Sequence, residues 1–295
     1  MDVDAAYRGR FAPSPTGALH LGSLIAALAG YLDARANRGQ WLLRMEDLDP
    51  PREEPGAADR ILSSLLEHGL HWDEAVLWQS SRAQAYQQAL DKLAAQRRLF
   101  RCDCTRAMLG PGGACAGRCL PRQDDITEPC ALRVQVPADC RITFIDGIQG
   151  KQSEALGQSL PDFVLRRKDG LYAYQLAVVV DDAFQQVNHI WRGSDLLDST
   201  CRQLYLQQLL ELERPRYSHH PVIANAQGQK LSKQNHAPAL RKCDAPENLR
   251  QALAFLQQPP PPGKLTDCSQ ILGHAAENWS ATAIPRQMSI IATQP

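Results

Sequence analysis

The chain has 295 residues, the length of one large domain or two smaller ones, and its 32 Lys and Arg balance 32 Asp and Glu to zero net charge. That balance excludes a histone-like or polybasic partner of nucleic acid, while leaving room for a local basic face. With 44% hydrophobic and 22% charged residues the chain can bury a sizeable core, so disorder is excluded for most of its length. At the start, MDVDAAYRGRF carries acids where a signal peptide needs bases and then an apolar stretch. No apolar run approaches the ~20 residues that span a bilayer, so a soluble cytoplasmic chain is expected. Arg8 to Ala12 reads as a short strand. Pro13, Pro15 and Gly17 then make a turn that is rigid at its start and permissive at its end. Leu24, Leu28, Tyr31 and Leu32 fall at i, i+4, i+7 and i+8, one face of a helix closing near Gly39. Trp41 to Met45 reads as a buried strand with Glu46 and Asp47 at its carboxyl end. Strand, helix, strand opens a parallel α/β sheet with a right-handed crossover.

Helices are predicted over about 56–69 and 82–98, followed by an irregular Cys- and Gly-rich segment at 101–122. Strands are predicted at 131–136, 141–145, 162–167, 173–180 and 187–192, and a helix from about 195 to 212. Val178, Val179 and Val180 run into Asp181 and Asp182 as a central strand with acids at its carboxyl end, where open α/β sheets bind ligands. Four prolines at 259–262 read as a stiff linker, which makes the residues beyond it a small appendage.

Two constellations carry chemistry. The first is Arg10-Phe-Ala-Pro-Ser-Pro-Thr-Gly-Ala-Leu-His20-Leu-Gly22-Ser, a glycine-punctuated turn opening a helix. Such a turn offers backbone N–H groups and a positive dipole end to a phosphate. There His20 could place an imidazole donor on a phosphate oxygen, where Gly22 allows close approach. The second is Lys230-Leu-Ser232-Lys233-Gln, two lysines flanking a serine in a polar stretch, able to neutralise a triphosphate. Either alone is weak. Together, on a βαβ opening, they make coincidence improbable.

With these residues in view, the chain resembles the class I aminoacyl-tRNA synthetases of the glutamyl branch. His20-Leu21-Gly22-Ser23 stands for the HIGH-type signature and Lys230-Leu231-Ser232-Lys233-Gln234 for the KMSKS-type one. RFAPSPTG, LLRMEDLDPPR, YAYQLAVVVDD and WRGSDLL also match, so the resemblance covers about residues 8–240. It implies an α/β fold: a Rossmann-type parallel-sheet catalytic domain with an inserted zinc-bearing lobe and a short helical C-terminal tail. The expected organisation is 1–100 and 161–258 for the two catalytic halves, 101–160 for the lobe and 259–295 for linker and tail. Only about sixty residues follow KLSKQ, where a full glutamyl enzyme continues into an anticodon-binding domain. Val178 also stands where those enzymes have Asn. Both departures, with the cysteine cluster, are similar to the glutamyl-queuosine branch of the family.

That branch implies activation of glutamate with ATP in the absence of tRNA, then transfer to the queuosine base in the anticodon of tRNA(Asp). It implies Mg²⁺ with ATP and no membrane partner, and a monomer is expected. Two rivals stay open: a truncated glutamyl enzyme charging tRNA(Glu), and a non-catalytic tRNA-binding relic. A glutamate substrate needs cationic forks for two carboxylates and a carboxylate for its ammonium. By resemblance the glutamate site takes Arg10, Phe11, Ala12, Pro13, Ser14, Glu46, Tyr174 and Arg192. Arg10, Tyr174 and Arg192 turn toward the side-chain carboxylate, Glu46 and Ser14 toward the amino group. ATP would meet His20, Gly22, Lys230, Ser232 and Lys233, with His20 and Lys233 stabilising the transition state. Glu46 could instead be a solvated acid or the ion partner of Arg44 or Arg52. Asp181 and Asp182 could touch the acceptor nucleotide or cap a helix. Val178 is expected to remove a polar contact and weaken amino-acid binding.

Nine cysteines without an export signal argue against a disulfide framework. Cys102, Cys104, Cys115 and Cys119 crowd together, and four thiolates satisfy a closed, structural Zn²⁺ site. The alternative is a set of merely exposed or partly oxidised thiols. One zinc per chain is expected.

Overall fold

The computed structural model describes residues 6–225 and 239–291. Its first part runs β1 (Arg8–Phe11), α1 (Leu21–Ala36), β2 (Gln40–Met45), α2 (Ala57–Glu67), β3 (Leu77–Trp78) and α3 (Ala83–Ala95). Next come β4 (Leu99–Cys102), β5 (Ala131–Gln135), β6 (Ile142–Asp146), β7 (Gly150–Glu154), α4 (Leu156–Ser159) and β8 (Asp162–Arg166). Then follow α5 (Tyr174–Phe184), β9 (His189–Gly193), α6 (Leu197–Leu210), β10 (Arg216–His220) and β11 (Val222–Ala224). The chain ends with α7 (Ala245–Phe255), α8 (Cys268–Glu277) and β12 (Ser289–Ile291).

The expected parallel sheet is present, five strands in the order β10-β9-β1-β2-β3. Because β9, β1 and β2 are parallel neighbours, their carboxyl ends open on one edge, where ligands bind in this architecture. Leu24, Ile25, Leu28 and Leu32 of α1 are at most 1% exposed and press the helix onto a core shared with Trp41 and Trp191. Burying one such side chain contributes about 1.5–3 kcal/mol.

Between α3 and α5 the chain builds a lobe: an antiparallel sheet β4-β5-β8 and an antiparallel hairpin β6-β7. The lobe has a small cluster of its own, Phe100, Ile126 and Cys130 packed around Cys102, Cys104, Cys115 and Cys119, and its sheet also shares the main core. Val134, Phe163 and Leu165 pack in one cluster with Leu90 of α3, Leu176 of α5 and Leu206 of α6.

Two expectations are corrected. The segment 173–180 is not a strand: Tyr174–Phe184 is helix α5, and Leu176, Ala177, Val178 and Val179 are all buried in it. A short β-branched run buried on every side has the same pattern as a central strand, and only its neighbours decide between them. The residues beyond the prolines are also not an appendage. Ile271, Leu272 and Ala275 of α8 share the core of α1 with Leu249 and Leu253 of α7, which precedes the prolines, and β12 pairs with β11. Arg250 ties the proline segment down by donating to the carbonyls of Pro261 and Pro262, at 2.7 and 3.1 Å. Trp279 donates to Asp33 of α1 at 2.8 Å. The strands β4, β7 and β10 were not anticipated. They are short, and β7 is polar throughout, so neither length nor alternation announces them.

Candidate active site

A cavity of about 850 Å³ lies over the carboxyl ends of β1, β2 and β9. Arg10, Phe11, Ala12, Pro13, Ser14, His20, Gly22, Glu46, Tyr174 and Arg192, all expected at the site, line it. The turn after β1 is tied to the end of β2 by the Glu46 amide, which donates to the Pro13 carbonyl at 2.9 Å. That bond sets Glu46 beside Arg10 and Ser14.

Arg10 is buried, and its Nε donates to Asp182 Oδ1 at 3.0 Å. The same oxygen accepts from Arg44 Nη2 at 2.8 Å, and Arg44 Nη1 donates to Gln185 at 2.9 Å. Burial opposes a charge on Asp182, but Arg10 and Arg44 prevail and hold its carboxyl below the usual range. With Nε engaged from behind, the Nη fork of Arg10 makes no hydrogen bond to the described residues and faces the cavity. Glu46 Oε1 is buried without a hydrogen bond among the described residues, its nearest cation being Arg44 at 3.7 Å. Burial pushes the Glu46 carboxyl up, against the pull of Arg44 and Arg10. An unsatisfied carboxylate oxygen beside a cavity is a site for a cationic ligand group.

Arg192, at the end of β9, is held differently. Its Nε donates to His219 Nε2 at 2.9 Å, Nη1 to Gln203 Oε1 at 2.8 Å and more weakly to Tyr174 Oη at 3.4 Å, and Nη2 to Thr200 Oγ1 at 2.8 Å. Every one of these acceptors is neutral, and among the described residues no carboxylate pairs with it. Tyr174, at the first turn of α5, brings its hydroxyl to the same guanidinium.

His20 is the N-cap of α1, its Nδ1 accepting from the Ser23 amide at 3.3 Å, which leaves the ring proton on Nε2. A Cβ on Gly22 would stand 3.1 Å from the His20 ring, so glycine is what lets the ring lie there. Lys230, Ser232 and Lys233 lie outside the described residues. On either side of them, Ile223 lines the cavity and Ala239 forms a backbone bridge with His20.

Three residues stand elsewhere than expected. Val178 is 1% exposed in the α5 core and does not line the cavity, so it offers no contact to a ligand there. Asp181 and Asp182 are buried in α5 rather than presented at a strand end. Asp181 accepts from Gln79 at 2.9 Å, Tyr86 at 2.6 Å and Arg82 at 3.1 Å, so it ties α3 and its lead-in to α5. Asp182, Thr200, Gln203 and His219 were missed as residues that hold the site. Each is a polar residue inside a helix or strand, and only its burial marks it.

In the lobe, the ligand atoms of Cys102, Cys104, Cys115 and Cys119 all lie within 4.8 Å of one another, and all four residues are buried. Cys104 Sγ is 3.7 Å from Cys115 Sγ and 3.5 Å from Cys119 Sγ. Thiolates around a tetrahedral ion at about 2.3 Å stand roughly 3.8 Å apart, so the cluster could hold such a metal ion. Burial pushes the Cys104 thiol up to about 11, and a bound cation would reverse that tendency.

Residues 6–110 and 120–256 match the family model described as tRNA synthetases class I (E and Q), catalytic domain. A glutamyl-Q tRNA(Asp) synthetase of Pseudomonas fluorescens is 49% identical over 294 residues, covering 98% of this chain and 97% of that one. One of Pseudomonas aeruginosa is 48% identical over 286 residues, covering 96% and 97%. Among solved structures, glutamate-tRNA synthetase from Elizabethkingia anophelis superposes with a TM-score of 0.81 at 23% identity, covering 98% of this chain and 68% of that one. That likeness is one of fold.

Proposed function

The chain belongs to the family of class I tRNA synthetases (E and Q), catalytic domain, and from that premise we propose that it activates glutamate with ATP and transfers it to the queuosine base of tRNA(Asp). One observation carries the amino-acid half: a single cavity brings together the guanidinium groups of Arg10 and Arg192 and the unsatisfied carboxylate oxygen of Glu46. Two cationic forks and one anion complement an α-amino dicarboxylate. The acceptor half rests on the names of relatives nearly half identical over nearly the whole chain.

In this reading Arg192 with Tyr174 receives the side-chain carboxylate, and Glu46 and Ser14 receive the ammonium. Arg10, on the neighbouring strand, also serves a carboxylate of the substrate, with Phe11, Ala12 and Pro13 shaping the turn that follows it. The α-carboxylate needs no general base, because it is already ionised. One of its oxygens attacks the α-phosphorus in line, the bond to pyrophosphate breaks, and pyrophosphate leaves with the electron pair. Catalysis is therefore positioning and charge stabilisation. His20 Nε2 and Gly22 serve the phosphates, joined by Lys230, Ser232 and Lys233, with Mg²⁺ neutralising the triphosphate when ATP is bound. A hydroxyl of the acceptor base then attacks the acyl carbon, AMP departs, and the hydroxyl proton is released.

We read 1–100 and 161–258 as the catalytic halves, 101–160 as the lobe, and 259–295 as a tail that closes over α1. The lobe's four cysteines would hold one structural Zn²⁺, bracing the fold of the lobe. No helix among the described residues is long and apolar enough to cross a membrane, in keeping with action on tRNA in the cytoplasm.

Transfer of labelled glutamate to tRNA(Asp), with and without queuosine and against tRNA(Glu), tests the function. Label should enter only the queuosine-bearing tRNA(Asp). Charging of tRNA(Glu) would favour a truncated glutamyl enzyme, and absence of glutamate-dependent pyrophosphate exchange would favour a relic. Metal analysis should return about one zinc per chain, falling in Cys115→Ser. Unchanged zinc in a Cys102→Ser/Cys104→Ser double variant would overturn the metal assignment.

A further inference from the structure

The guanidinium of Arg192 is fixed by a chain of groups that begins in the lobe. Asp146 ends strand β6 of the lobe hairpin, and its Oδ1 accepts from the amides of Ile148, Gln149 and His219 at 3.0, 2.9 and 3.1 Å. Its Oδ2 meets His219 Nδ1 at 2.5 Å. On the other side of the ring, His219 Nε2 accepts from Arg192 Nε at 2.9 Å and stands 3.3 Å from Thr200 Oγ1. Asp146, His219 and Arg192 are 2, 0 and 4% exposed, so the chain of links is buried from bulk solvent.

We propose that Asp146 and His219 are positioning residues that lock Arg192 for the substrate's side-chain carboxylate, a role that rests on the functional reading above. The chemistry of the ring requires it. An ionised Asp146 can only accept, so it keeps the imidazole proton on Nδ1 and turns the Nε2 lone pair toward Arg192. Had the proton been on Nε2, two N–H groups would face each other in a dry site. Asp146 is held below the usual carboxylate range: burial works against its charge, but the hydrogen bonds from His219 and the backbone overcome it. Burial in turn holds His219 below the usual imidazole range, despite the bond to Asp146.

The arrangement answers a specific difficulty. A carboxylate placed directly on Arg192 would orient it, but would also compete with an anionic substrate. Interposing a neutral imidazole keeps the orientation and removes the competing contact. Four of the five guanidinium N–H groups are engaged by His219, Gln203, Tyr174 and Thr200, and the remaining one on Nη2 has no partner among the described residues. The Tyr174 contact, long at 3.4 Å, is the bond most readily given up to an incoming carboxylate.

Three variants test this: Asp146→Asn, His219→Gln and His219→Phe, assayed by ATP–pyrophosphate exchange beside a melting curve. Asp146→Asn leaves an oxygen for the backbone amides but turns an N–H₂ toward Nδ1, forcing the ring proton to Nε2. KM for glutamate should rise about tenfold, the size of one lost hydrogen bond to a charged group, with KM for ATP unchanged. His219→Phe should do the same or more. His219→Gln, whose oxygen can still accept from Arg192 Nε, should restore most of the loss. Ring ¹⁵N shifts of labelled histidine should show a bare Nε2 in the wild-type protein and a protonated Nε2 in Asp146→Asn. A normal glutamate KM in folded Asp146→Asn, or a bare Nε2 in that variant, would overturn the proposal while leaving the functional reading intact. Equal losses in His219→Gln and His219→Phe would also overturn it, because a purely structural histidine gives no rescue by an acceptor. No glutamate-dependent exchange in the wild type would overturn the functional reading, and this one with it.

Discussion

Arg10 and Arg192 face one cavity from neighbouring strands, yet they are held in opposite ways. Arg10 is backed by a carboxylate, Asp182, which it shares with Arg44. Arg192 is backed only by neutral oxygens and one imidazole nitrogen, all of its carboxylate support lying one ring further off at Asp146. A buried cation with an ion partner is already compensated, whereas one with neutral partners still draws an anion to itself. The difference divides the work: Arg10 and its acids form a rigid, nearly balanced wall, and Arg192 carries the preference for an anionic side chain.

The comparison is broken most forcefully at Asp182. Asp182→Asn leaves Arg10 and Arg44 as adjacent buried cations, and such a loss costs on the order of 3–5 kcal/mol. Chemical denaturation should show a large drop in stability, with Arg192-dependent selectivity for glutamate surviving in whatever fraction folds. The wild-type protein should also show an acid limb. Because the Asp182 carboxyl lies lower in the folded chain than in the unfolded one, the unfolded chain binds more protons between the two values. Its contribution is therefore full above the unfolded carboxylate range, near pH 3.9, and is lost as pH falls through the lower folded value. In Asp182→Asn that part of the limb should flatten. A variant as stable as the parent at neutral pH would mean that Asp182 does not compensate the two arginines.

Next in size is Arg192→Lys. An ammonium cannot reproduce the fork that meets His219, Gln203 and Thr200 together. Leaving a buried charged partner unpaired costs about 2–5 kcal/mol, read as a raised KM for glutamate with KM for ATP nearly unchanged. Glutamine should gain ground relative to glutamate. If the variant instead melts early and disturbs both Michaelis constants, Arg192 belongs to the structural wall and the contrast with Arg10 disappears.

The smallest expected effect sharpens the contrast. Tyr174→Phe removes the hydroxyl that, with Arg192, is read as receiving the side-chain carboxylate, and changes nothing at Arg10. About 0.5–1.5 kcal/mol is expected, visible as a modest rise in glutamate KM without loss of thermal stability. A larger effect on stability than on KM would make Tyr174 a packing residue.

Part of this site is legible in the sequence. Arg10, Glu46 and Arg192 stand at or beside the carboxyl ends of predicted strands, which short-range pattern reveals, whereas their roles toward glutamate, and Tyr174 altogether, rest on the family resemblance of the strings that contain them. Short-range pattern also marks His20 and Gly22, where a turn feeds a helix, and four cysteines close enough in the chain to converge within one lobe. Asp182 and His219 could not be found that way. Asp182 follows the valines as a strand end would, because a helix whose middle is buried all round loses the periodicity that identifies it. His219 carries no local mark of any kind.

By itself the sequence pointed to the parallel sheet and the edge at which ligands bind, since turn chemistry and hydrophobic period act over a few residues, and its resemblance to a family named the side chains expected there. Only the tertiary structure decided what stands behind those side chains. Asp182 comes to Arg10 from 172 residues away and His219 to Arg192 from 27, and the tail expected as a small appendage closes over α1 because Ile271, Leu272 and Ile284 complete that core. Burial and long-range pairing are properties of the packed chain, and they choose which of several plausible acids and imidazoles becomes a partner to a buried charge.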